Sequence, residues 1–254
     1  MKMDHVPRLV FWELTKKCNL NCIHCRAESE NSIYEGELSL DEIKAVIDDI
    51  ASHYTPILVL TGGEPLYRAD IFQIASYAET KGLKTALASN GTLIDRSMAE
   101  KIRTAGIRRV SISLDGCTPE SHDGFRGIPD SFEDALRGIN YLKEAGVEFQ
   151  INTTISRRNV DEIEEIMKLA EGIGAKALHI FMLVPVGCGV EIAESEMISK
   201  EKYEEVLNWF YDRSRQTALE LKATCAPHYY RIIRQRAKSE GRTITFDTDG
   251  MSAM

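Results

Sequence analysis

The stretch LTKKCNLNCIHCRAES (residues 14–29) places cysteines at positions 18, 22 and 25, a C-x3-C-x2-C spacing. It follows RLVFWEL (8–14), an apolar run that predicts a β-strand, so the three thiols fall in the loop after that strand. Structural zinc uses four ligands, usually in two separated pairs, and no second pair follows nearby. Three thiolates suit a [4Fe–4S] cluster with one iron left open. Zinc remains the alternative, with His24 reaching awkwardly from between two cysteines as fourth ligand.

The rest of the chain alternates between strand and helix patterns. Short apolar runs are each followed by an amphipathic segment, and several of these segments stop at a glycine. Strands are predicted at 8–14, 57–61, 84–89, 108–114, 147–155 and 175–184. Helices are predicted at 39–53, 70–81, 95–105, 131–145, 159–173 and 200–219, the first with a capping box of Ser39 and Glu42. Alternation of this kind indicates a parallel sheet with right-handed crossovers.

Two α/β architectures fit six such units, an open doubly wound sheet and a full or partial barrel. No GxGxxG follows the first strand, which disfavours a dinucleotide-binding domain. Polar residues or glycines follow the strands, including Gly62-Gly63-Glu64-Pro65 and Ser89-Asn90-Gly91. Barrel active sites lie at the rim formed by the carboxyl ends of the strands. The pattern therefore favours a barrel, although each motif alone is also ordinary turn chemistry.

Composition limits the functional class. The 254 residues, 43% of them apolar, can bury the core of one large α/β domain, with or without a short appendage. No window approaches eighteen apolar residues, and MKMDHVPRLV lacks the apolar core of a signal peptide, so a cytoplasmic protein is expected. The net charge of −8 argues against general nucleic-acid binding. In a reducing compartment, crowded cysteines more often bind metal or do redox work than form disulfides.

The cysteine loop after the first strand and GGEP (62–65) after the second together resemble the radical S-adenosylmethionine (SAM) superfamily, over roughly residues 8–190. The resemblance implies a partial (β/α)6 TIM-like barrel. It implies that Cys18, Cys22 and Cys25 ligate three irons of a [4Fe–4S] cluster and that the fourth iron binds SAM. An electron from an external donor, such as a flavodoxin or ferredoxin, would then cleave SAM. The resulting 5′-deoxyadenosyl radical would abstract a hydrogen atom from the substrate.

The same resemblance implies a set of SAM-contacting residues spread along the rim. Gly62 and Gly63 would let the backbone approach the SAM amino group, and Glu64 would accept from it. Arg126, in HDGFRG, would bind the SAM carboxylate in bidentate fashion, unless it is a surface arginine. The full set carried over is His24, Gly62, Gly63, Glu64, Ser89, Asn90, Ser113, Arg126 and Leu183.

FMLVPVGCG (181–189) and TCAPHYYRI (224–232) resemble the haem-biosynthesis branch of the superfamily, which includes a haem synthase and a haem d1 enzyme. That resemblance implies a tetrapyrrole substrate whose propionates are decarboxylated or removed. The basic residues between 222 and 242 could attract propionates, Tyr229 and Tyr230 could pack on the macrocycle, and His228 could ligate its iron. Maturation of a peptide or protein side chain is the alternative within the superfamily, and a zinc-binding protein is the non-enzyme alternative.

Two regions are expected, a radical SAM partial barrel over 1–220 and a C-terminal extension over 221–254. Members of the haem branch continue into a cysteine-rich domain with a second cluster. The chain stops at GMSAM (250–254), about where that domain would begin, so a truncated or short form is expected, with a second [4Fe–4S] cluster only in a longer form. The roles of Cys117, Cys188 and Cys225 stay open.

Overall fold

The computed structural model describes residues 6–32 and 34–243. Its strands are β1 (Leu9–Glu13), β2 (Ile57–Thr61), β3 (Thr85–Ser89), β4 (Arg109–Ser113), β5 (Glu148–Ile155), β6 (Ala177–Met182) and β7 (Glu220–Thr224). Its helices are α1 (Leu40–His53), α2 (Ile71–Thr80), α3 (Arg96–Thr104), α4 (Pro119–Arg126), α5 (Ser131–Glu144), α6 (Ile163–Ile173), α7 (Ala193–Glu196), α8 (Lys200–Arg213) and α9 (His228–Ser239).

The strands form one sheet in which every neighbouring pair is parallel and the spatial order is β1 to β7 without a reversal. A doubly wound sheet reverses its strand order at a switch point, so this topology excludes it. The sheet curls into a half-barrel with the carboxyl ends of its strands on one rim. The partial-barrel prediction is confirmed, and the structure adds a seventh strand to the six that were expected.

The seventh strand corrects the prediction of one helix over 200–219. Helix α8 ends at Arg213, and after a short turn the chain enters β7, which pairs with β6 from Ala177↔Glu220 to Phe181↔Thr224. The sequence ELKAT offers only two apolar residues in alternation, too weak a period-2 signal to separate from the end of an amphipathic helix.

Three helices were not expected, α4 in the loop after β4, the four-residue α7 after β6 and α9 after β7. Helix α4 begins with Pro119 after the N-cap Thr118 and ends at Gly127, whose φ is +71°. These are ordinary start and stop signals, but the helix is only eight residues long. The capping box of Ser39 and Glu42 is confirmed, and the other predicted helices agree with the structure within a few residues of their ends.

The hydrophobic core lies between the helices and one face of the sheet, which we call the outer face. Alternate strand residues on this face, including Leu60, Leu87, Ile112 and Ile151, are fully buried in one cluster with the apolar sides of the helices. The opposite, inner face instead carries polar residues on β4 to β7. Burial of the outer face therefore fixes the register of each strand, since a one-residue slip would exchange the two faces.

The predicted division into a barrel over 1–220 and an extension from 221 stays a prediction. Within the described residues the sheet continues through β7, and Tyr229 of α9 packs edge-on against Phe210 of α8 with ring centroids 5.5 Å apart. Positions 244–254 of the predicted extension, with the terminal GMSAM, lie outside the described residues. No helix between residues 6 and 243, leaving out residue 33, is both long and apolar enough to cross a membrane.

Two buried threonines on the outer face give a test of the core. Thr85 is fully buried and its hydroxyl has no hydrogen-bond partner, whereas the hydroxyl of the equally buried Thr153 donates to the Leu114 carbonyl at 2.7 Å. We expect Thr85→Val to stabilise the fold by about 1 kcal/mol, because it removes an unsatisfied polar group. The control Thr153→Val should destabilise it by about 1 kcal/mol, because the Leu114 carbonyl loses its donor. Urea unfolding of both variants checks this, and equal effects of the same sign would contradict it.

Candidate active site

The three clustered cysteines lie in the loop between β1 and α1, at the rim formed by the carboxyl ends of the strands. Cys18 is buried, and Cys22 and Cys25 are half-buried. Backbone amides approach two of the thiols, Leu20 N at 3.4 Å from Cys18 Sγ and Ser29 N at 3.3 Å from Cys25 Sγ. Burial raises the pKa of Cys18 to about 11 and also raises the pKa of Cys22. The thiolate forms therefore need nearby positive charge.

This arrangement bears on which metal the loop could hold. Among the described residues, no three His, Cys, Asp or Glu side chains converge on one ion position. A zinc site requires such convergence of four ligands, and His24 instead directs Nε2 toward Asp115 Oδ2, 3.5 Å away. Three thiols on one loop fit an iron–sulfur cluster, in which each thiolate binds a different iron. The iron cations would also supply the charge that the buried thiolates need.

Gly62 and Gly63 lie directly against the cysteine loop. Gly63 N donates to Thr15 O at 2.7 Å, and Glu64 N donates to Lys17 O at 2.8 Å. A Cβ at Gly62 would come within 2.3 Å of Thr15 O, and one at Gly63 within 2.4 Å of Lys17 O. Glycine is thus required for the two loops to pack, whatever binds beside them. The expected contact of these glycines with SAM stays a prediction.

Glu64 is fully buried and links the loop after β2 to the end of β3. Its Oε1 accepts from Leu66 N and Ser89 Oγ, and its Oε2 accepts from Asn90 N at 2.8 Å. Burial raises the pKa of Glu64 to about 7, although these hydrogen bonds oppose the shift. A carboxylate oxygen accepts two hydrogen bonds, so Oε2 keeps capacity for one more donor. A cationic donor there would favour the ionised form.

Arg126 is buried at the end of α4 and is not a surface arginine. Its Nη2 pairs with Asp115 Oδ2 at 2.6 Å, and its Nη1 lies 3.6 Å from Cys22 Sγ. Its Nε has no acceptor among the described residues, so the guanidinium keeps one buried N–H for a group outside that part of the chain. Helix α4 also accepts hydrogen bonds from the cysteine loop, with Asn21 N donating to Arg126 O and Ile23 N donating to Phe125 O, both at 3.1 Å.

His24 sits between the cysteine loop and α4. Its ring packs against Phe125 with ring centroids 4.3 Å apart and the ring planes tilted by 57°. Burial lowers the pKa of His24 to about 4, against the opposing effect of Asp115. The imidazole is therefore neutral near pH 7 and acts as a packing group.

The remaining predicted contacts lie on the strands β4 and β6 or just after them. Ser113 is the last residue of β4, and its Cα is in register with that of Asn152. Leu183 follows β6, and its N–H donates to Ile155 O at 3.1 Å. The segment after Leu183 docks on the cysteine loop, with Cys188 N donating to Cys25 O at 2.9 Å. The structure thus brings all the predicted SAM contacts to one rim, and their contact with SAM stays a prediction.

Sequence reasoning missed several residues that organise this rim. Asp115 was given no role, yet it holds Arg126, and its Oδ1 accepts from Thr154 N at 2.7 Å. Asn19, between two of the cysteines, accepts from Asn90 Nδ2 at 2.9 Å. The available signal for Asp115 was an acid two residues beyond Ser113 at the end of a buried strand. Nothing in the local sequence singles out Asn19.

The residues expected to meet a tetrapyrrole are only partly placed for that role. Tyr229 is buried in the core against Phe210, so its expected packing on a macrocycle is wrong. His228 packs edge-on beside Tyr203, with ring centroids 5.9 Å apart. Much of the basic charge of α9 is paired with acids of α8, as in the ion pairs of Arg231 with Glu204 and of Arg236 with Asp212. The basic helix is therefore largely a salt-bridged interface between two helices.

Comparison with known proteins identifies a family to which the chain is similar. The Radical SAM superfamily profile matches residues 12–170. The chain is 53% identical to an AdoMet-dependent heme synthase of Oleidesulfovibrio alaskensis over 97% of this chain and 63% of that protein. It is 51% identical to an AdoMet-dependent heme synthase of Methanosarcina barkeri over 99% of this chain and 71% of that protein. The solved structure of Streptococcus suis SuiB bound to S-adenosylmethionine has the same fold, with a TM-score of 0.74 at 16% identity, over 91% of this chain and 53% of that one.

A substitution at Gly63 tests the packing of the two rim loops. We expect Gly63→Ala to destabilise the protein by roughly 1–3 kcal/mol, because the added methyl group must displace the backbone of the cysteine loop. Gly172, exposed near the end of α6 with open space around it, is the control, and Gly172→Ala should be neutral or slightly stabilising. Urea unfolding measures both, and a Gly63→Ala protein as stable as the control would refute the packing requirement.

Proposed function

The chain belongs to the radical SAM superfamily, and we propose from this membership that it is an enzyme of haem biosynthesis that oxidatively decarboxylates propionate side chains of an iron tetrapyrrole. The strongest support is the 53% identity, over 97% of the chain, to a protein named AdoMet-dependent heme synthase. The chain spans only 63% of that relative's length, so the activity of the longer protein comes to this chain as a proposal.

The superfamily implies a [4Fe–4S] cluster and SAM, and the residues of the rim fit both. We assign the cluster to Cys18, Cys22 and Cys25. Their position on one loop, with two of the thiols approached by backbone amides, supports this assignment. Arg126 Nη1 near Cys22 would add positive charge beside one thiolate. A second cluster belongs, on this proposal, to a longer form of the protein.

Unused hydrogen-bonding capacity at the same rim supports two of the proposed SAM contacts, and the others rest on the family resemblance. Glu64 Oε2 would accept from the SAM ammonium, and the buried Nε of Arg126 would donate to its carboxylate. Ser89 and Asn90 would contact the ribose, Ser113 would be a further SAM contact, and His24 and Leu183 would offer backbone groups to the adenine. When bound, the cluster and SAM together supply a 5′-deoxyadenosyl radical, which removes a hydrogen atom from the substrate.

The proposed reaction has a simple balance at the substrate. One propionate loses a β-hydrogen atom to the 5′-deoxyadenosyl radical, then CO2 and one electron, which an external electron acceptor would take up, and a vinyl group remains. Repeating this on two propionates of iron-coproporphyrin III gives haem. An external donor such as a flavodoxin or ferredoxin would supply the electron that starts each cycle. The cytoplasm stays the predicted compartment.

The proposal predicts the metal content and the product. The protein reconstituted under anaerobic conditions should hold one [4Fe–4S] cluster, with four irons and four sulfides per chain. With SAM, dithionite and iron-coproporphyrin III it should release 5′-deoxyadenosine and form vinyl products, read by mass spectrometry. Cys22→Ala should lose iron and both products. Cys117→Ala is the matched control and should keep them, because Cys117 lies beside Glu162 and outside the cysteine loop.

Two results would count against this function. A metal analysis that finds one zinc per chain instead of iron would reject the cluster assignment and indicate a zinc-binding protein. 5′-Deoxyadenosine formation without binding of any tetrapyrrole would keep the radical chemistry and reject the haem assignment, which would leave maturation of a peptide or protein side chain as the alternative.

A further inference from the structure

A row of polar side chains crosses the inner face of the sheet at one level. Ser113 is in register with Asn152, Asn152 with His179, and His179 with Lys222, across β4, β5, β6 and β7. Residues in register on parallel strands point to the same side, and the intervening residues, such as Ile151, Ile180 and Leu221, are buried on the outer face. We call Asn152, His179 and Lys222 the donor row.

Each member of the donor row keeps hydrogen-bond donors for a ligand. Gln150 Nε2 lies 2.9 Å from Asn152 Oδ1 and 2.9 Å from His179 Nδ1, so it donates to both. The Asn152 oxygen thereby accepts one hydrogen bond, and its NH2 group remains as a donor. His179 accepts at Nδ1, so its proton is on Nε2, and burial lowers its pKa to about 4 and keeps the ring neutral. Lys222 adds an ammonium group with three donors and no acceptor.

No acid of the described chain pairs with Lys222. Glu148 and Glu220, the first residues of β5 and β7 on the same face, both pair with Arg109. Arg109 Nη1 lies 2.8 Å from the Glu220 carboxylate, and Nη2 lies 3.4 Å from that of Glu148. Lys222 is half-buried and forms no ion pair with any residue between 6 and 243, residue 33 apart. A partly desolvated cation without a counter-ion is unfavourable, and a carboxylate from outside would relieve that cost.

We propose that the donor row is a carboxylate subsite that holds a propionate of the tetrapyrrole substrate, with Lys222 as its charged anchor. This inference rests on the proposed function. The row begins beside Ser113, a proposed SAM contact, and Lys222 lies three strand spacings away, about 14 Å across the sheet. Anchoring one propionate at Lys222 would therefore orient the macrocycle toward the reacting end of the rim. The propionate contact expected of the basic residues between 222 and 242 is therefore assigned to Lys222 and not to the salt-bridged helix α9. Lys222 is the one basic residue of that segment that lies in the sheet.

The test measures binding of iron-coproporphyrin III by absorbance titration, without SAM or reductant. We expect Lys222→Gln to raise the Kd at least about tenfold, because a charge-assisted contact is lost. Lys222→Arg should keep most of the affinity. Lys238→Gln, the same charge change at an exposed position of α9, should leave the Kd unchanged. The tetramethyl ester of the same tetrapyrrole should bind wild type and Lys222→Gln equally, because it offers no carboxylate.

The outcomes distinguish a failure of the carboxylate subsite from a failure of the proposed function. A wild-type protein that binds the tetrapyrrole, with Lys222→Gln binding it equally well, overturns the subsite alone. A defect in Lys222→Gln that persists with the ester also overturns it, since the lysine would then act through packing. A wild-type protein that binds no tetrapyrrole overturns both proposals. Lys222→Met, which keeps the aliphatic stem, replaces Lys222→Gln if circular dichroism shows that the glutamine variant is unfolded.

Discussion

The rim of this protein depends on the buried carboxylate of Asp115. One oxygen pairs with Arg126 at the end of α4 and faces His24 of the cysteine loop, and the other accepts from Thr154 N of β5. A fully buried carboxylate needs such partners to offset its lost hydration. Because those partners come from a helix, a strand and the cysteine loop, this one group sets where the three elements meet. Removing one partner of such a buried pair typically costs about 3–5 kcal/mol.

Glycines of the rim also help to position the cysteine loop, because they let neighbouring segments pack closely against it. Gly62 and Gly63 let the loop after β2 pack against Thr15 and Lys17, and Gly187, with φ of +56°, lets the segment after β6 approach the carbonyl of Cys25. Helix α4, the loop after β2 and the segment after β6 therefore all pack against the cysteine loop, independently of any cofactor. A loop held in this way presents its thiols in a fixed arrangement, which is what preorganised metal binding requires.

The sequence was sufficient for much of the architecture because apolar strands and amphipathic helices have different periods. The parallel sheet was predicted from that contrast, the polar residues at the strand ends favoured a barrel, and the family resemblance implied that the barrel is partial. Strand β7 was missed because its two apolar residues carry little periodic signal. The pairing of Asp115 with Arg126 was missed because it depends on how α4 folds back over the cysteine loop. Tyr229 was misplaced because a tyrosine in a basic segment looks the same in sequence whether it faces the core or a ligand.

Hydrogen exchange of the cysteine loop tests most directly whether Asp115 organises this site. The amides of Asn21 and Ile23 donate to α4, so their protection reports whether the helix still holds the loop. In Asp115→Asn these two amides should exchange at least about tenfold faster while the core strands stay protected. In the control Asp212→Asn, which removes an ion pair between α8 and α9, they should not change. Unchanged protection of Asn21 and Ile23 in a folded Asp115→Asn protein would contradict the account.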